Sequence, residues 1–171
     1  CPPVTGSMTG LVPSGRVKAC EDGMLKLLER AAEFPFLIIG GAWGIYDKTN
    51  PQIWSRFEET LRLLTLQGHK IWLLPRIPHL KNFDASCQAK QAWIGFWLHC
   101  PSAFEQEDPS ESTNARLLMI STSIPGVRYQ PFHKTLCQFD QCRATNSNGY
   151  YIYSDHSHLS LKGSLELANM L

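Results

Sequence analysis

The chain of 171 residues lacks any long hydrophobic run: its longest apolar stretches are broken by Gly, Pro or charge, whereas a bilayer-spanning helix needs about 20 consecutive apolar residues. No secretory leader is visible either, so export is expected to depend on sequence upstream of residue 1. Charge of one sign is also missing. Lys plus Arg number 16 against 15 Asp plus Glu, with no basic run, which excludes the electrostatic footprint of a nucleic-acid binder or of a protein held on an anionic membrane. A neutral or nearly neutral partner is expected, which a polysaccharide satisfies. There is no Cys-x-x-Cys pair, so a zinc ribbon is excluded. No internal repeat marks a second domain, and an apolar content of 43% with 11% aromatics suits one globular domain over residues 1–171.

Cysteine, by contrast, is plentiful. Six cysteines exceed what a reducing compartment usually tolerates without a metal or redox role, and they place the protein in the periplasm or outside the cell. Cys137 and Cys142 flank a short polar loop and suit a local bridge. Spacing does not determine connectivity; chain order suggests Cys1 with Cys20 and Cys87 with Cys100.

Strand and helix signals alternate. The first twenty residues, rich in Gly, Pro, Ser and Thr, read as a loop. From Glu21, residues Met24, Leu27, Leu28 and Ala31 fall at helical spacing, with Asp22 placed to cap the helix or favour its dipole. The apolar run Phe36 to Ile39, closed by Gly40-Gly41, predicts a central parallel strand. Asn50-Pro51 signals a helix start, and Ile53, Phe57, Leu61 and Leu64 line one face until Gly68. Lys70 to Leu74 predicts a second buried strand, residues 88–99 and Ala115 to Ser123 two more helices, and Val127 to Gln130 a further strand. Asn146 to Gly149 is a turn, Tyr150 to Tyr153 a short strand, and Ser160 the cap of a last helix running to Leu171. Such alternation implies a mostly parallel sheet with helices on both faces, a three-layer α/β/α class in which ligands bind at the carboxyl ends of the strands.

The densest chemistry lies in Tyr153-Ser154-Asp155-His156-Ser157-His158-Leu159-Ser160, followed by Leu161-Lys162-Gly163. An acid three residues before an imidazole can hold the ring in one tautomer while its other nitrogen faces a nucleophile. This Asp-x-x-His-Leu-Ser block resembles the last motif of the SGNH (GDSL-type) hydrolase superfamily. With Phe36 to Tyr46, Leu73 to Pro78 and the Cys137 to Cys142 loop in order, the chain looks like the extracytoplasmic SGNH domain fused to bacterial membrane-bound O-acyltransferases of surface polysaccharides. The resemblance implies His158 as general base and Asp155 as its orienting partner. It also implies an acyl donor, a polysaccharide acceptor, no cofactor, no metal, and an N-terminal membrane acyltransferase domain in the full-length chain.

The resemblance is incomplete. An SGNH domain opens with a strand ending in Gly-Asp-Ser, whose Ser is the nucleophile, and no Gly-Asp-Ser occurs here. The expectation is that the first strand, nucleophile and first helix lie upstream of Cys1 and that these residues alone are inactive. Ser7 and Ser14 are weaker substitutes, since neither follows an apolar strand. The family's Gly-x-Asn block falls at Gly40 to Trp43, with Ala42 or Trp43 near the Asn position. Gly41 is expected to offer a backbone donor to an oxyanion, and Trp43 and Tyr46 a sugar-stacking platform, although aromatics beside a strand end serve the core about as often. His156 competes with His158 for the base, but an extended loop turns the two apart. A metal at Asp155, His156 and His158 needs a further ligand from His133 or His99. His69, His79, His99 and His133 otherwise read as surface or satisfied core histidines, and Trp54, Trp72, Trp93 and Trp97 as core or interface. The implied activity is O-acyl transfer to a polysaccharide, with acetyl as the expected group and a carbohydrate esterase or a non-catalytic glycan-binding module as alternatives.

Overall fold

The computed structural model describes residues 1–50, 52–95, 97–107, 111–131 and 133–169. They form two compact units, Cys1–Arg76 with Ser110–Gln130, and Ile77–Pro109 with Pro131–Leu171. Cysteines pair as Cys1–Cys20, Cys87–Cys100 and Cys137–Cys142, the pairing that chain order suggested. Among the described residues no helix is long and apolar enough to cross a membrane.

In the first unit, helix α1 spans Val17–Ala31 and starts four residues before Glu21. A 3-10 turn at Ser14–Arg16 feeds it, and the bridge from Cys1 to the buried Cys20 lies in its first turns. Asp22 therefore sits inside the helix and caps nothing, whereas the neighbouring Glu21 side chain accepts from the Met8 amide at 2.8 Å and ties the opening segment down. The inward stripe is Val17, Cys20, Met24, Leu28 and Ala31, three and four residues apart; Leu27 lies off it and is exposed.

Strands β1 (Phe36–Ile39), β2 (Lys70–Leu73) and β4 (Val127–Tyr129) form a parallel sheet in the order β1-β2-β4. The α/β class with a parallel sheet is as the sequence implied, but β2 holds the centre of these three and β1 the edge. The continuous apolar run misled: Leu37 and Ile39 meet the core, while Phe36 and Ile38 are 57% and 64% exposed. Helix α3 (Ile53–Leu66) connects β1 to β2, and α5 (Glu111–Ser123) precedes β4. With α1 they pack on the face made by Leu37, Ile39, Ile71, Leu73 and Val127. On the opposite face Phe36, Ile38 and Arg128 are exposed and Trp72 is half-buried. The core of this unit is Trp43, Trp54, Phe57, Leu61, Ile71, Leu73 and Leu117, with Ile53 and Leu64 on the same α3 stripe. Gly68, at φ +92°, ends that helix in a conformation open to glycine, and Pro51 of the predicted start signal lies outside the described residues. Residues after β1 form a helix the sequence did not suggest, α2 (Trp43–Thr49).

The second unit departs further from expectation. Helix α4 covers only Cys87–Ile94, because Gly95 at φ +90° stops it. Strands β3 (Ala103–Glu105), β5 (Cys137–Gln138) and β6 (Gln141–Arg143) form an antiparallel sheet in the order β3-β6-β5, with a short helix α6 (His133–Leu136) before β5. Tyr150 to Tyr153 is not a continuous strand. It makes single antiparallel bridges, Thr145 to Tyr151 and Tyr153 to Leu159, because the chain turns back just before it, where the Gly149 amide donates to the Asn146 carbonyl, and just after it, where the Ser154 amide donates to the His158 carbonyl; the Tyr151 and Tyr153 rings share one side against Phe83. Helix α7 (Leu161–Ala168) follows, shorter than the run to Leu171, whose last two residues are outside those described.

Candidate active site

Asp155 and His158 meet in a five-residue loop pinned at both ends. The Ser154 amide donates to the His158 carbonyl at 2.9 Å, and the Ser160 amide to the Ile152 carbonyl at 2.8 Å. Beyond the loop the Ser160 hydroxyl accepts from the Gly163 amide at 3.1 Å and caps α7. Gly163 explains itself by space: a Cβ there would overlap the Ile152 carbonyl, so only glycine lets α7 approach the chain that carries the loop.

Within the loop, one carboxylate organises everything. Asp155 Oδ1 accepts from the amides of Ser157 at 2.8 Å and His158 at 2.9 Å and from the Ser157 hydroxyl at 3.0 Å. His158 Nδ1 stands 3.0 Å from Oδ1 and 2.9 Å from Oδ2. The Ser157 amide, then the His158 ring, hold the Asp155 carboxyl well below the usual carboxylate range. An ionised carboxylate can only accept, so Nδ1 carries the proton and Nε2 is the basic nitrogen. The His158 side chain is 75% exposed, which leaves Nε2 accessible to a reacting group. A residue that sequence reasoning passed over, Ser157, completes the cradle; its Oγ lies 3.1 Å from Nδ1, on the nitrogen turned to Asp155, and so is not placed as a nucleophile for Nε2. The serine in Asp-x-Ser-His was the available signal, an Asx-turn residue following an Asp.

His156 does not share this network. Its ring packs edge-on against His79 at 5.4 Å, and its carbonyl accepts from the Leu80 amide at 2.8 Å. Among the described residues no group of three or more His, Cys, Asp or Glu is disposed to hold a metal. His69 is a satisfied core histidine, its Nδ1 being 2.8 Å from the Phe34 carbonyl.

The other candidates belong to the first unit, where Gly41, Trp43 and Tyr46 cluster after β1. Trp43 is not a sugar platform. It is 2% exposed, stacks on Trp54 at 6.0 Å, tilts against Phe57 at 4.8 Å and spends its only side-chain donor on the Leu74 carbonyl at 2.9 Å. Tyr46 is half-buried, donates to the Cys1 carbonyl at 3.3 Å, and has its phenol pushed up by burial. With Ala42, Ile45, Pro2 and Leu11 it lines a cleft of about 420 Å³ at the carboxyl end of β1. Gly41 lies against the Trp43 and Tyr46 rings, at distances that leave ordinary contact for a Cβ. Trp93 and Trp97, expected in a core or interface, are 94% and 81% exposed.

The family model of the SGNH domain fused to AT3 domains matches residues 1–171. The chain belongs to that SGNH family. Its fold agrees: the periplasmic domain of a lipopolysaccharide acetyltransferase from Salmonella ser. Paratyphi A superposes with a TM-score of 0.60 at 16% identity, over 88% of this chain. The chain spans 60% of that domain's length. No curated protein matches the sequence. The family is one in which SGNH domains are fused to AT3 domains.

Proposed function

We propose that this SGNH domain carries the base and orienting acid of an O-acyl transfer to hydroxyl groups of a surface polysaccharide. The observation that bears most of the weight is the Asp155–His158 pair, with Nδ1 held by an ionised carboxylate and Nε2 exposed. In this reading a serine upstream of residue 1 attacks an acyl ester or thioester, and its proton passes to His158 Nε2 while Asp155 steadies the imidazolium. Backbone amides hold the oxyanion. His158 then returns the proton to the leaving group, and a sugar hydroxyl, deprotonated in turn by Nε2, takes the acyl group from serine. Attack by water in place of the sugar makes the same residues an esterase. Among the described strands β1 has an unpaired edge, which is room for a further strand beside it, and the uncovered face with Phe36 and Ile38 is room for a helix over the sheet.

A second reading, a glycan-binding domain without catalysis, is favoured by the burial of Trp43, which leaves the Asn position of the oxyanion block without a side-chain donor. His158→Ala in the full-length protein separates the two. Acyl transfer is expected to fall roughly a thousandfold with glycan binding kept. Alanine in place of an upstream Gly-Asp-Ser serine should cost as much. Unchanged transfer in a folded His158→Ala protein overturns the catalytic reading.

A further inference from the structure

A short segment at the end of α4 in the second unit exposes several large apolar side chains close together in sequence. Trp93 is 94% exposed, Trp97 81% and Ile94 61%. Large aromatics in water on this scale call for an occupant. Their support is braced. The Cys87–Cys100 bridge closes the segment, the Gln91 side chain donates to the Leu98 carbonyl at 2.7 Å, and the Leu98 amide donates to the Gly95 carbonyl at 3.3 Å. Gln88 fastens the helix to the body of the unit, donating to the Gly149 carbonyl at 2.6 Å and accepting from the Tyr151 amide at 3.3 Å. The aromatics are thus displayed by a fixed support.

Two further features select the occupant. Residues 91–104 contain no Asp, Glu, Lys or Arg, so covering this surface strands no full charge away from water. The nearest cation, Lys90, sits at the margin and is paired with Asp84 at 2.8 Å. Sugar platforms set aromatic rings among free hydrogen-bonding side chains, whereas here Gln88 and Gln91 are both committed internally and the neighbour of Trp93 is an isoleucine. Tryptophan paired with an aliphatic side chain, ringed by polar groups at its edge, is the composition that partitions into the headgroup region of a bilayer.

We propose that Trp93, Ile94 and Trp97 form an interfacial anchor that seats this domain on the lipid surface. This rests on the reading that the domain works beside a membrane acyltransferase. The anchor would hold the domain's orientation against the bilayer.

The test is co-flotation of the protein with vesicles of phosphatidylethanolamine and phosphatidylglycerol, for the native sequence and for a Trp93→Ala, Trp97→Ala double variant. Both side chains are solvent-exposed, so the double variant should keep its fold, checked by circular dichroism. Partitioning is expected to drop about tenfold or more in the variant. Vesicles with brominated acyl chains give a second measurement on the native protein: partial quenching, absent in the double variant, with Trp43 and Trp54 emission unchanged. No flotation of the native protein, or equal flotation and quenching of both, overturns the anchor. So does protection of these tryptophans by soluble oligosaccharide without lipid, which marks a sugar platform, or a dimer that the double variant abolishes. None of these outcomes bears on His158, whose role is read from acyl transfer, so failure of the anchor and failure of the catalytic reading are separable.

Discussion

The unit built on the parallel sheet and the unit that carries Asp155 and His158 are held together by different means. In the first, α3 delivers Trp54, Phe57, Leu61 and Leu64 from one stripe onto β2, and Trp43 stacks into the same mass, so order comes from packed apolar volume. The second has short strands, single bridges and two disulfides, and its loop geometry is set by amide donors converging on one carboxylate. A packed core tolerates local rearrangement at its margins. A loop set by hydrogen bonds and one close glycine contact does not, which suits a site where a ring nitrogen must face one direction.

That contrast can be broken first in the packed unit. Phe57→Ala removes a fully buried ring from the Trp43–Trp54 stack and is expected to cost about 3–5 kcal/mol, read from urea unfolding with the Asp155–His158 loop monitored separately by NMR. Loop resonances that melt at the same denaturant concentration as the core would show the two units to be one cooperative system. Next in size, Gly163→Ala should destabilise the second unit by about 1–3 kcal/mol, because the new methyl meets the Ile152 backbone and has no flexible neighbour to push aside. It should also shift the His158 ring resonances, and a variant with native stability and unchanged shifts would refute the close-packing argument.

The smallest effect sharpens the electrostatic side. Asp155 has a folded pKa below its unfolded one, so its contribution to stability is complete above the ordinary Asp value of about 3.9 and is lost as pH falls through the lower folded value. Carboxyl-carbon NMR should place its midpoint below that of an ordinary Asp. Ser157→Ala, which removes the hydroxyl but keeps the amide, should raise the midpoint only part of the way. An ordinary midpoint in the native protein would mean that the loop is not organised around an ionised Asp155.

How much of this was legible beforehand varies with the range of the interaction responsible. Helix α3, the apolar runs that become β1, β2 and β4, and the Ser160 cap depend on residues close in sequence and were exposed by patterning, while the Asp155–His158 pair was exposed by its spacing together with the family resemblance of the block around it. The start of α1 was missed because a bridge to Cys1 and a Glu21 contact to Met8 act across the chain. Tyr150 to Tyr153 read as a strand because its aromatics have strand preference, and Tyr151 and Tyr153 do share one side against Phe83, yet turns immediately before and after leave it only single bridges to Thr145 and Leu159.

Family, α/β class and the acid–imidazole pair follow from residue identity and short spacing, since each depends on local chemistry that the chain carries wherever it folds. Tertiary structure alone decided that Trp43 is core and Trp93 surface, that β2 lies between β1 and β4 among the described strands, and that Ser157 joins the Asp155 cradle. Burial and strand order are sums over contacts from remote segments, and a tryptophan's fate is not written in the tryptophan.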